Sequence, residues 1–139
     1  ALPPDHPAWQ EAGAESLSLD DLLAQADVVT LHLPLTPQTR HLLDAARIER
    51  MRAGAILINT SRGGIVDEAA LAAALRAGRL RGAALDVFEQ EPLPAGSALA
   101  DAPNLILTPH IAGLTQEANT RVSDMVAAGV TMALDARAR

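Results

Sequence analysis

Ala55-Ile56-Leu57-Ile58-Asn59-Thr60-Ser61-Arg62-Gly63-Gly64 is a short apolar run that stops on polar residues and then on two glycines. Rich in Ile and Leu with little alternation, residues 55–60 read as a strand covered on both faces, as in parallel sheets. Residues 26–33 (ADVVTLHL), 83–88 (AALDVF) and 104–108 (NLILT) have the same character, and residues 14–17 form a weaker candidate for an edge strand. Between these runs the pattern becomes helical. Ser18 is placed to cap residues 19–25, and Thr36, with Pro37 behind it, to cap a pattern running to Met51. Asp67 is placed to cap residues 68–77 with Gly78 as the stop, and Thr115 to cap a final helix from Gln116 onward. Strands alternating with helices predict an α/β fold on a mostly parallel sheet.

Composition narrows the function. A chain of 139 residues is one domain's worth, since domains run to roughly 100–200 residues. With 49% apolar and 20% charged residues and a mean hydropathy of +0.13, it reads as globular rather than disordered. No apolar run approaches the ~18 residues of a membrane span, so no membrane partner is expected. There is no cysteine, hence no disulfide and no thiolate metal site. The opening residues have neither the basic segment nor the apolar core of a signal peptide, so the cytoplasm is the expected location. A net charge of −6, with 11 scattered Lys and Arg, argues against nucleic acid. One Trp, one Phe and no Tyr leave no platform for stacking bases. No His, Asp and Glu grouping has metal-ligand spacing, so no metal is expected. The chain begins at Ala1 in a Pro-rich, loop-like stretch over residues 2–7, which reads as part of something longer.

In open α/β sheets, ligands bind beyond the carboxyl ends of the strands. Each strong strand here delivers polar groups to that edge: His32-Leu33-Pro34, then Asn59 to Gly64, then Asp86 with Glu91-Pro92 beyond it, then Pro109-His110-Ile111-Ala112-Gly113. Arg62, between Ser61 and two glycines, can grip a carboxylate with both arms of its guanidinium, although such an arginine serves surface ion pairs equally often. His110 carries an imidazole, the side chain best suited to donate a proton near neutral pH, and a carboxylate such as Glu91 could pair with it. Neither is persuasive alone. Asp86 lies inside an apolar run, where an unpaired carboxylate is costly, so it needs either a ligand or backbone amides of a neighbouring loop. His6, in the Pro-rich opening, and His41, on a helix, are expected to be solvated, and His32 to be structural.

Taken together, these motifs resemble the D-isomer-specific 2-hydroxyacid dehydrogenases, the family of D-3-phosphoglycerate dehydrogenase and the glyoxylate/hydroxypyruvate reductases. The likeness runs from about Ala12 to Val130 and rests on four ordered motifs. These are Asp27-Val28-Val29 through Leu35, Asn59 through Glu68, Ala84-Leu85-Asp86-Val87-Phe88-Glu89-Gln90-Glu91-Pro92, and Leu107 through Gly113. The resemblance implies a partial Rossmann-like, doubly wound parallel sheet, with residues 1–139 forming the carboxyl-terminal part of a nucleotide-binding domain. Its final helix, residues 116–139, would lead back toward a substrate domain. It implies that Arg62 binds the substrate carboxylate, that His110 is the acid/base and that Glu91 is its partner, with Glu89 a nearby distractor. Asp86 would face the nicotinamide carboxamide; Thr60, Ser61 and Arg62 would line the cofactor, with His110 beside it; Leu33, Ala112 and Gly113 would approach it through backbone. The cofactor would be NAD or NADP, the substrate a small 2-keto or 2-hydroxy acid, and the assembly a homodimer.

The family's Gly-x-Gly-x-x-Gly loop and the acidic residue after it do not occur in these 139 residues. The resemblance therefore implies that the first two strands of the domain are not here, and that the 139 residues alone are inactive and bind NAD weakly. A different class shares the fold and these residues: non-catalytic NAD(H)-sensing regulators of the C-terminal-binding-protein type. Formate dehydrogenases pair the histidine with glutamine, so Glu91 argues against that branch.

Overall fold

The computed structural model describes residues 6–137. All four strong apolar runs form strands: β1 (Val28–Leu31), β2 (Ile56–Asn59), β3 (Gly82–Leu85) and β4 (Leu105–Leu107). They pair in parallel in the order β1-β2-β3-β4, giving the α/β, Rossmann-like sheet expected. α1 (Pro7–Glu11) and α2 (Leu19–Gln25) precede β1, α3 (Ala45–Arg50) lies between β1 and β2, α4 (Glu68–Arg76) between β2 and β3, and α5 (Gln116–Arg137) follows β4. α2 packs against α3 and α3 against α4.

Caps fix the helix boundaries. Ser18 Oγ accepts from Asp21 N, and Asp67 Oδ1 from Ala70 N at 2.9 Å. Gly78, at φ +68°, takes the left-handed conformation that stops α4. Thr115 Oγ1 accepts from Ala118 N at 3.0 Å and starts α5. Thr36 departs from expectation. It exchanges hydrogen bonds with Thr39 in a turn, and α3 is capped instead by Asp44, whose Oδ1 accepts from Arg47 N at 2.9 Å. Pro37 fits a turn as well as it fits a first helical turn. Between the two, Leu43 pairs with Val66 in an isolated parallel bridge, so the chain there is extended.

Three other expectations are corrected. Residues 14–17 form no strand; they are exposed and bury nothing that would hold them to a sheet. Of the Pro-rich opening, residues 1–5 lie outside the described residues, and Pro7 begins a short helix rather than a loop, with His6 Nδ1 accepting from Ala8 N. The third strand ends at Leu85, not Phe88. Val87 and Phe88 are buried by loop packing rather than by the ladder.

The strands also alternate in burial instead of being covered on both faces. Val29, Leu31, Leu57, Asn59, Ala83 and Leu85 point into a core shared with Leu23, Ile48, Leu71 and Leu75. On the other face Val28 is 52% and Ile106 66% exposed. The parallel register carries one consequence for the site. Leu31, Asn59, Leu85 and Leu107 form the last row at the carboxyl edge, so the loops leaving it begin side by side.

Candidate active site

Asn59 and Asp86 are the buried polar side chains of the core among the described residues, and each anchors one loop of the carboxyl edge. Asn59, the last residue of β2, donates from Nδ2 to Arg62 O at 2.9 Å and accepts at Oδ1 from Ser61 N at 3.0 Å and Ser61 Oγ at 2.8 Å. Asp86 follows β3. Its Oδ1 accepts from Thr108 Oγ1 at 2.5 Å and Ile111 N at 2.9 Å, and its Oδ2 from Ala112 N at 2.8 Å. Of the two partners left open for Asp86 in the sequence, the structure supplies the backbone amides. The anchors are linked, because Asp86 N donates to Asn59 O at 3.0 Å.

By gripping the two amides after His110, Asp86 holds that residue at φ +55°, a left-handed conformation costing a non-glycine residue on the order of 1 kcal/mol or more. His110 Nδ1 then meets Glu91 Oε2 at 2.8 Å. A carboxylate only accepts, so the imidazole donates from Nδ1 and keeps Nε2 for a ligand. Glu91 is itself fixed, its Oε1 accepting from Phe88 N at 3.0 Å. The bond from His110, with that of Phe88, outweighs burial and holds the Glu91 carboxyl below its ordinary value of 4.5.

Burial alone would push Asp86 upward, but the bonds from Thr108, Ala112 and Ile111, aided by the charge of His110, outweigh it and hold the group below its ordinary 3.8. A carboxyl depressed in the folded state stabilises the fold above its unfolded value, and that stability is lost as the pH falls through the folded value. Asp86→Asn, which turns an NH2 toward amide donors, is expected to cost about 1–3 kcal/mol at pH 7. The difference from the parent should shrink below pH 3.8. Urea unfolding followed across pH checks this, and a pH-independent difference would contradict it.

Thr60, Arg62, Asp86, His110 and Gly113 line one cleft of about 480 Å³ together with the first turns of α5. Arg62 Nη1 donates to Ser61 O at 2.6 Å, and the side chain stays open to the cleft. Leu33, 38% exposed beyond the end of β1, Ser61 and Ala112 lie outside the residues lining it. The Arg62 loop is pressed against the Glu91 loop at Gly63, where a Cβ would come within 1.7 Å of Phe88 O.

Three features escape the sequence reading. Asn59 falls within a motif but carries no role there, although an Asn in an apolar strand raises the question asked of Asp86. Ala118, Asn119 and Ser123 of α5 close one side of the cleft without any motif to announce them. His41 is not helical; it lies in a turn at φ +47°, and its Nε2 meets Glu89 Oε1 at 3.1 Å. Glu89 in turn donates from N to Glu68 Oε1 at 2.6 Å. His32 is exposed, with Nε2 3.0 Å from Thr30 Oγ1. No group of three or more His, Cys, Asp and Glu among the described residues could hold a metal. No helix among them is long and apolar enough to cross a membrane.

A parallel α/β sheet whose carboxyl edge gathers an arginine, a carboxylate–imidazole pair and an open cleft has the layout of a dinucleotide-binding domain. Residues 3–112 match the family described as "D-isomer specific 2-hydroxyacid dehydrogenase, NAD binding domain", and the chain belongs to that family. It is 53% identical over 138 residues to an (S)-sulfolactate dehydrogenase of Chromohalobacter salexigens, covering 99% of this chain and 44% of that one. Among solved structures, the TT0316 protein from Thermus thermophilus superimposes with a TM-score of 0.75 at 48% identity, covering 86% of this chain and 36% of that one. A D-isomer specific 2-hydroxyacid dehydrogenase from Xanthobacter autotrophicus, in complex with NADPH and MES, does so with a TM-score of 0.66 at 50% identity, covering 70% and 31%. The chain thus spans less than half the length of these relatives.

Proposed function

We propose that residues 1–139 are the carboxyl-terminal part of the nucleotide-binding domain of a 2-hydroxyacid dehydrogenase, and that its reaction is reversible reduction of a small 2-keto acid at C2. The observation that carries this reading is the Glu91–His110 pair, joined at 2.8 Å on the same edge as Arg62, with His110 and Arg62 lining one cleft. In reduction, the Arg62 guanidinium binds the keto-acid carboxylate by two parallel charge-assisted bonds and so fixes which face of the carbonyl is presented. His110 Nε2 gives its proton to the developing alkoxide, while Glu91 at Nδ1 holds the ring and stabilises its charge. In oxidation, the same nitrogen takes the hydroxyl proton.

The cleft fits the nicotinamide end of NAD or NADP, since it is polar at Thr60, Arg62 and Asp86 and apolar at Leu114 and Val122. Bound there, the nicotinamide supplies the hydride chemistry. Thr60, Ser61 and Arg62 would line it beside His110, and Leu33, Ala112 and Gly113 would approach it through backbone. Asp86 Oδ2 accepts one bond from the loop, which leaves an acceptor direction for a carboxamide N–H. α5 leaves Val122, Met125, Val126 and Val130 more than half exposed, an apolar stripe suited to contact with a substrate domain. A cytoplasmic homodimer completes the reading.

The test is a panel of small 2-keto acids, glyoxylate and hydroxypyruvate included, offered with NADH and with NADPH to the complete polypeptide that carries this sequence. Turnover of at least one acid is expected, with Arg62→Ala raising its KM. Tight nicotinamide binding with no turnover would favour the regulator instead.

A further inference from the structure

We infer that Asn59 is the positioning residue for Arg62, an inference that rests on the role proposed for that arginine. Asn59 is 2% exposed and stands in a row otherwise of leucines. A buried amide in such a place has to be satisfied, and each of its polar atoms is spent on the Arg62 loop. Nδ2 donates to Arg62 O, and Oδ1 accepts from Ser61 N and Ser61 Oγ. These bonds fix the carbonyl of Arg62 on one side and the Thr60–Ser61 amide on the other, so the backbone that carries the arginine side chain is held from both ends. The guanidinium folds back onto the Ser61–Arg62 peptide between these two held points, through Ser61 O. The main-chain carbonyl of Asn59 also accepts from Asp86 N, and Asp86 holds the His110 loop. Asn59 therefore sets the carboxylate grip of Arg62 relative to the proton donor.

Asn59→Asp separates these roles, since it keeps the acceptor for Ser61 but replaces the donor with an oxygen facing the Arg62 carbonyl. Asn59→Ser, which carries no charge and cannot reach that carbonyl, serves should the aspartate fail to fold. In the complete polypeptide either variant is expected to lower kcat/KM for the keto acid by about tenfold to a hundredfold, mainly through KM. The KM for the nicotinamide should change by less than about threefold. In an Arg62→Ala background the same replacement should cost less than about twofold, because nothing remains to be positioned. An equal loss in both backgrounds, or a parallel rise in both KM values, would overturn the inference and leave Asn59 a structural residue. If Arg62→Ala itself left keto-acid turnover intact, the proposed role of Arg62 would fail instead.

Discussion

His110→Asn should lower kcat for keto-acid reduction by about a thousandfold, within the roughly 10²–10⁴-fold range of positioned acid–base catalysis, while the affinity for nicotinamide stays near that of the parent. Asparagine can still donate to Glu91 and fill the left-handed position, a conformation it tolerates better than most residues. The fold should therefore survive, and the loss should report the missing proton rather than a collapsed loop. Glu91→Gln is the complementary change. It keeps a hydrogen-bonding partner for Nδ1 but removes the charge that stabilises the imidazolium, so kcat for keto-acid reduction should fall, though by less than in His110→Asn. Stopped-flow turnover of the two variants checks both statements. A His110→Asn protein with parental kcat would remove the proton donor from the account.

The second large effect is expected at Gly63. Its hypothetical Cβ would come 1.7 Å from Phe88 O, 2.2 Å from Phe88 C and 2.9 Å from Glu89 N, all backbone atoms that cannot rotate away. Overpacking ordinarily costs about 1–3 kcal/mol, and a clash with main chain belongs at or above the top of that range. Gly63→Ala should thus destabilise the protein by about 3 kcal/mol or more in urea unfolding, and kcat/KM should fall as the Arg62 and Glu91 loops separate. Gly96 is the control. Nothing lies within 4 Å of its Cβ position and its φ is not in the left-handed region, so Gly96→Ala should change stability by less than about 1 kcal/mol. Equal behaviour of the two variants would mean that the loops are not pressed together.

Much of this arrangement is legible in the sequence because strong local signals agree with the fold. The Asp67 cap and Gly78 stop bound α4 as written, and apolar runs mark all four strands. The misreadings have physical causes. Thr36-Pro37 suits a turn as well as a helix start, and Leu42-Leu43 makes the pattern look continuous across an extended bridge. Val87-Phe88 looks like strand because burial, not pairing, is what an apolar run reports. A continuous apolar run also cannot show that only one face is covered.

Among the site residues, Arg62 and His110 are legible because they interrupt apolar segments at strand ends, with Glu91 following in the next loop. Their common cleft is not, since it depends on the register that aligns Asn59, Leu85 and Leu107 and on two buried anchors whose bonds no spacing reveals. Glu89 illustrates the same limit. Two positions from Glu91, it turns to the opposite side and pairs with His41, 48 residues earlier in the chain.

The most direct measurement is to offer the complete polypeptide nicotinamide cofactor deuterated at C4 together with the keto acid it turns over fastest, and to locate the label in the product. Deuterium is expected at C2 of a single enantiomer of the 2-hydroxy acid. Label released to solvent, or a racemic product, would contradict it.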